Sequence, residues 1–188
     1  MKLMKYALLL AGFSIATPSL AACKYSLDKK YSELKWTGYK TPKKAPVSGT
    51  VEDIKLSPGL PKASALEALD GLEFSINLAS ASSGDKVRDT RIAKLLFKDA
   101  DQVVGRYVKS DKTHLYFDIT TNKVTKSVAL AYEIKDTKLS ASGYLDLLDF
   151  SLQKNLKVFA EACKGRHEGK SWTDVKTDLK LKFYKTCK

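Results

Sequence analysis

Apolar and polar residues change places at every second position through most of the chain. Leu72, Phe74, Ile76 and Leu78 fall on one side of such a run, and Glu73, Ser75 and Asn77 on the other. Leu115, Phe117 and Ile119 oppose His114, Tyr116 and Asp118 in the same way. Val128, Leu130, Tyr132 and Ile134 oppose Ala129, Ala131, Glu133 and Lys135, and Val175, Leu179, Leu181 and Phe183 oppose a row of Asp and Lys. Leu34 and Trp36 flank Lys35, and Val47 and Val51 continue the theme. A period of two is the spacing of side chains on a strand, so each run has one apolar and one wet face. Strands of that kind are antiparallel and share one interior. Seven or eight of them in one domain make a sandwich or a small closed barrel, and eight give a barrel filled by side chains or holding one small ligand.

Helical spacing is confined to three short pieces. Residues 63–69 form a weak one, closed by Asp70 and Gly71. Residues 89–97 place Ile92, Leu95 and Leu96 on one side, with Asp89 as the cap. Residues 151–163 are the clearest: Ser151 caps, Leu152, Leu156, Phe159, Ala160 and Cys163 make a stripe, and Gly165 stops it. The Pro-containing segments 41–46 and 57–61 read as loops. No repeat, low-complexity tract or linker divides the chain.

The N-terminus breaks this pattern. Lys2 and Lys5 precede an apolar stretch over residues 6–16, Thr17 and Pro18 end it, and small residues follow up to Ala22. That is the order of a removable signal peptide over residues 1–22 and not of a membrane span. The expected domain is then 23–188, exported to a periplasm, and its formal charge falls from +12 to +10 as Lys2 and Lys5 leave. Export and the scatter of lysines along the chain argue against nucleic acid. The positive charge serves solubility, or attraction to anionic lipid headgroups at a membrane surface.

Three cysteines, Cys23, Cys163 and Cys187, enter an oxidising compartment. Leu20-Ala21-Ala22-Cys23 also resembles a lipobox, in which Cys23 is acylated and anchors the protein as a lipoprotein. With Cys23 lipidated, the available bridge is Cys163–Cys187. With Cys23 unmodified, a bridge from Cys23 to Cys187 would join the chain ends.

Catalytic chemistry finds no constellation. His114 and His167 are far apart in sequence and neither belongs to a nucleophile or metal motif, so neither an enzyme nor a metal site is expected. Asp146 and Asp149 read as turn or capping residues, and Trp36 and Trp172 as core or rim aromatics.

Four segments in register carry a resemblance. They are Tyr25-Ser26-Leu27-Asp28, Val47-Ser48-Gly49-Thr50-Val51, residues 79–89 (ASASSGDKVRD) leading to Leu96 and Phe97, and residues 120–128 (TTNKVTKSV). In this order they are similar to the YceI-like family of lipocalin-like periplasmic barrels, across essentially all of the mature chain. The resemblance implies an all-β, eight-stranded antiparallel barrel with short helices and one helix in the C-terminal region. It also implies an interior that holds a long-chain lipid: a polyisoprenoid, an isoprenoid quinone or a fatty-acid-like amphiphile, with no other cofactor. Phe74, Ile76, Leu78, Leu115, Phe117, Ile119, Leu130, Tyr132, Leu181 and Phe183 are the candidate lining, or else packed core. Arg88 and Asp89 are candidates for a polar headgroup, or else fix their own loop. The competing function is a packed structural or stress-related envelope protein that acts through its basic surface.

Overall fold

The computed structural model describes residues 22–98 and 100–188; the expected signal segment, save Ala22, lies outside them. Among the described residues there are eleven strands: β1 (Cys23–Leu27), β2 (Glu33–Lys40), β3 (Ala45–Val51), β4 (Ile54–Ser57), β5 (Glu73–Asn77), β6 (Ala81–Ser82), β7 (Gln102–Ser110), β8 (His114–Thr121), β9 (Val124–Lys135), β10 (Lys138–Asp146) and β11 (Asp174–Cys187). All pairings are antiparallel.

The expectation of eight strands is corrected to eleven, and the reason is local. Three runs are each broken once. β1 and β2 both lie along one side of β11, Cys23–Leu27 opposite Cys187–Phe183 and Glu33–Thr37 opposite Lys180–Lys176. A 3-10 turn at Lys29–Tyr31, capped by Asp28, interrupts them. Residues 52–53 separate β3 from β4, and the turn Leu78–Ser80 separates β5 from β6. These last two runs pair with each other on both sides of their breaks, Val51 with Ala81 and Ile54 with Ile76. Across the break Glu52 N donates to Ser80 O at 3.4 Å and Asn77 N to Asp53 O at 3.0 Å. The path of ladders from β4 round to β6 therefore begins and ends on the same two chain segments, which gives the sheet its barrel-like form.

Helices are short and gather at one end. α1 (Lys86–Arg91) runs into a π turn at Ile92–Leu96, while α2 (Gln153–Ala162) and α3 (Lys164–His167) follow β10. Their boundaries differ from the sequence reading. The first helix starts before Asp89 because Asp85 is the cap, its carboxylate accepting from Val87 N and Arg88 N. Ser151 does not cap α2: it sits at φ 58° in the left-handed region, and Leu152 precedes the helix without a side-chain cap. Gly165 lies within α3 and does not end α2. Residues 63–69 yield only the 3-10 turn Glu67–Leu69. Asp146 does cap its turn, accepting from Leu148 N at 2.8 Å.

Two apolar cores result. One fills the barrel where β1 meets β11 and centres on Leu69, Leu115, Leu139 and Phe183. The other packs α2 against the π turn through Ile92, Leu96, Phe150, Leu152, Phe159 and Cys163.

The cysteine alternatives resolve on geometry. Cys23 and Cys187 are bonded to each other, as β1 and β11 place them directly opposite. Cys163 is buried in the helical core outside any bridge, so the expected Cys163–Cys187 pair is wrong: β11 carries Cys187 to the far end of the barrel. With its sulfur in the bridge, Cys23 has no thiol left for a lipid thioether, which also removes the acyl-anchor expectation for this form.

Candidate functional site

Between the two cores lies an apolar cavity of about 260 Å³. Its wall draws on every run of the barrel, through Leu34, Val47, Phe74, Val103, Phe117, Leu130, Leu145 and Leu179. The helical end closes it with Leu96, Phe150, Leu152, Leu156 and Phe159. Alternation explains the strand side: Leu34, Trp36, Gly38 and Lys40 of β2 all point in, as do Val175, Thr177, Leu179 and Leu181 of β11.

Glycine shapes the wall at two points. Trp36 stands directly opposite Gly49, and Phe74 opposite Gly105. A Cβ at Gly49 would come within 2.7 Å of the Trp36 indole, and one at Gly105 within 2.8 Å of both the Phe74 ring and Asp118 O. Each ring therefore lies across the neighbouring strand in space only glycine leaves open. Trp36 Nε1 donates to Thr50 O at 3.3 Å, so its one polar atom is satisfied at the wall. Phe74 and Phe117 meet edge-on with centroids 6.0 Å apart.

Of the ten predicted lining residues, Phe74, Ile76, Leu78, Phe117, Ile119, Leu130 and Leu181 border the cavity. Leu115, Tyr132 and Phe183 do not. They face the same interior but lie nearer the β1 end, where Leu115 and Phe183 are packed solid and Tyr132 donates its hydroxyl to Asp111 O at 3.1 Å. Strand period gives the face of a residue and not its height along the barrel. The helical lining was hidden differently: the stripe at Leu152, Leu156 and Phe159 is visible in sequence, but nothing there says that it faces a void.

Arg88 and Asp89 build the loop they belong to. Arg88 Nε donates to Ser83 Oγ at 2.7 Å and Nη2 to Ser83 O at 3.0 Å. Asp89 accepts from Ser83 N at 3.0 Å and from the Ser83 hydroxyl. Arg88 nonetheless reaches the cavity wall, while Asp89 does not. Asp85 is held below the usual carboxylate range chiefly by the Arg88 N–H.

His167 ends α3 and lines the cavity. Its Nδ1 lies 2.7 Å from Ser171 Oγ, and its ring meets Phe159 edge-on. Burial, helped by nearby Lys40, lowers its pKa, so the imidazole is neutral at pH 7. Among the described residues no group of His, Cys, Asp and Glu could hold a metal, and no helix is long and apolar enough to cross a membrane.

An antiparallel barrel whose interior is an apolar pocket, with polar groups at one edge, defines a binding fold. The chain belongs to the YceI family: the family's model, described as the YceI-like domain, matches residues 25–183. Solved structures share the fold. A polyisoprenoid binding domain from Saccharophagus degradans, implicated in plant cell wall breakdown, is 17% identical with a TM-score of 0.60 over 85% of this chain and 97% of its own. BcnA of Burkholderia cenocepacia is 13% identical with a TM-score of 0.58, covering 85% and 99%. The YceI protein of Campylobacter jejuni is 16% identical with a TM-score of 0.51, covering 99% of both. No curated protein matches the chain.

Proposed function

We propose that this protein binds and carries a long-chain lipid in the bacterial cell envelope, without catalysing a reaction on it. The ligand class is a polyisoprenoid, an isoprenoid quinone or a fatty-acid-like amphiphile. The observation that carries the reading is the cavity. All eight runs of a barrel contribute apolar side chains to one space, in a chain of the YceI family. Each Å² of tail buried there gains ~25 cal/mol, and a chain without polar atoms needs no partner along its length. The polyisoprenoid-binding domain of Saccharophagus degradans supports the isoprenoid branch of that class. Periplasmic export through residues 1–22 belongs to the same reading: the first strand begins at Cys23, where the segment would end, and a disulfide suits an oxidising compartment.

The test is expression with the protein's own N-terminus, followed by intact and native mass spectrometry and organic extraction. The expected result is a chain starting at Cys23 or within a few residues of it, with a co-purifying long-chain molecule. Protein that is empty on extraction, and that takes up no added isoprenoid from detergent or vesicles, would defeat the proposal.

A further inference from the structure

Two segments are clasped together beside the polar edge of the cavity. One is the β2–β3 turn, residues 41–44; the other runs from α3 to the start of β11, residues 164–172. Thr41 N donates to Lys170 O at 3.0 Å, Trp172 N to Tyr39 O at 3.2 Å, and Trp172 Nε1 to Thr41 O at 2.8 Å. Lys40 and Ser171 form a further β-bridge.

The clasp is both aromatic and cationic. With Lys40 it carries Lys43, Lys44, Lys164, Arg166 and Lys170 against a single carboxylate, Glu168. Lys44 Nζ lies 5.1 Å from the Tyr39 ring and 4.8 Å from that of Trp172, whose ring Lys170 also approaches to 4.7 Å. Lys44 is tied to Asp174 at 2.8 Å, and Lys164 lies 3.6 Å from Glu161. Lys43, Arg166 and Lys170 are exposed and stand outside the salt bridges of the described residues. Tyr39, Lys40, His167, Ser171 and Trp172 also line the cavity and are only partly buried. An ammonium such as that of Lys40 is not kept in an apolar cavity away from water. The wall therefore opens here, and the clasp is the rim of the opening.

We infer that this rim docks on an anionic lipid bilayer, with the mouth of the cavity turned to the membrane. The inference rests on the lipid-carrier reading for its purpose. Charge complementarity selects the partner: exposed cations outside the salt bridges meet a negative headgroup layer. Tyr and Trp are suited to the boundary between headgroups and acyl chains, and lysine stems lie along apolar surface with the ammonium in the polar layer. A tail leaving the bilayer then enters beside the clasped pair Trp172 and Tyr39, both of which line the apolar cavity.

Flotation with vesicles tests it, comparing phosphatidylcholine alone with a 7:3 mixture with phosphatidylglycerol. Binding is expected to the mixed vesicles only and to weaken with added salt. Lys43→Glu/Lys170→Glu should reduce that binding by about tenfold or more. Lys135→Glu/Lys138→Glu makes the same charge change at the opposite end of the barrel and should leave most of it. Should Lys170→Glu unsettle Trp172, seen as a lowered unfolding midpoint, Lys43→Glu/Arg166→Glu gives the same charge change. In a Trp36→Phe background, brominated lipid should quench Trp172. Equal losses from both ends, or binding to neutral vesicles alike, would overturn the docking proposal. Lipid found on extraction without vesicle binding would sink the docking and leave the carrier reading; binding by a protein that never takes up lipid would do the reverse.

Discussion

At the end of the barrel where β1 meets β11, Leu115, Leu139 and Phe183 are 0%, 1% and 1% exposed and do not border the cavity. Toward the helical end, Leu179 of β11 and Phe74 and Ile76 of β5 lie on the same inward face of the barrel, yet border the cavity. The two regions share one sequence pattern. What separates them is what fills the middle. At the β1 end the turn Glu67–Leu69 and the strand sides meet and interlock. At the other end the π turn and α2 border the cavity through Leu96, Leu156 and Phe159. An apolar face stabilises where it packs and is available to a ligand where it does not.

The comparison can be broken by substitution, the largest effect first. Phe183→Ala should cost about 3–5 kcal/mol, the range for a fully packed aromatic. Ile76→Ala should cost distinctly less, since its neighbours on one side are already missing. Urea unfolding midpoints decide, and equal losses would erase the distinction between the two ends. Cys23→Ser/Cys187→Ser opens a loop closed over 164 residues and should cost about 2–5 kcal/mol. Because the bridge lies at the packed end, the folded variant should keep its lipid occupancy on extraction. Ile76→Trp fills the cavity and should lower lipid occupancy several-fold. It should escape the ~1–3 kcal/mol strain of overpacking, because the added ring enters empty space.

The smallest effect follows acid. Asp111, in the β7–β8 turn near the packed end, is pulled well below the usual carboxylate range, mainly by Thr113 N–H and then by the Tyr116 hydroxyl and His114 N–H. A carboxyl depressed in the folded state adds stability that is full above its unfolded pKa of ~4 and is lost as pH falls through the folded value. Asp85 is lowered on the same principle at the helical end. Asp111→Asn should therefore flatten the acid limb of a stability–pH curve more than Asp85→Asn, with little difference between the two slopes above pH 6. An acid limb unchanged by either would show that other carboxylates control it.

Much of this was legible in the alternation. The inward faces of β5, β8 and β11 follow the alternation, and that of β9 does so as far as Tyr132, with Ile134 beyond it 37% exposed; the family resemblance carried the barrel. Three things were not legible. The breaks at residues 28–32, 52–53 and 78–80 leave the side-chain period intact on either side, so the runs read as fewer strands. The height of Leu115, Tyr132 and Phe183 along the barrel depends on register with strands distant in sequence. His167 lines the cavity only because α3 folds back beside Lys40, a contact spanning more than a hundred residues. Asp85, by contrast, could have been found: it stands where a cap belongs, directly before Lys86 and Val87, and Asp89 drew the eye instead.

β11 bears on the order of events in folding. Among the described residues it is the last strand and the longest, and it pairs with β1 and β2 on one side and β10 on the other. The ring has a gap until residues 174–187 arrive, so no earlier part of the barrel can close around a ligand. Contacts that join the two chain ends form late and slowly compared with hairpins such as β9–β10. A chain threading through a membrane pore from its N-terminus would thus emerge with an open sheet. It would close, and oxidise Cys23 with Cys187, only once β11 had crossed.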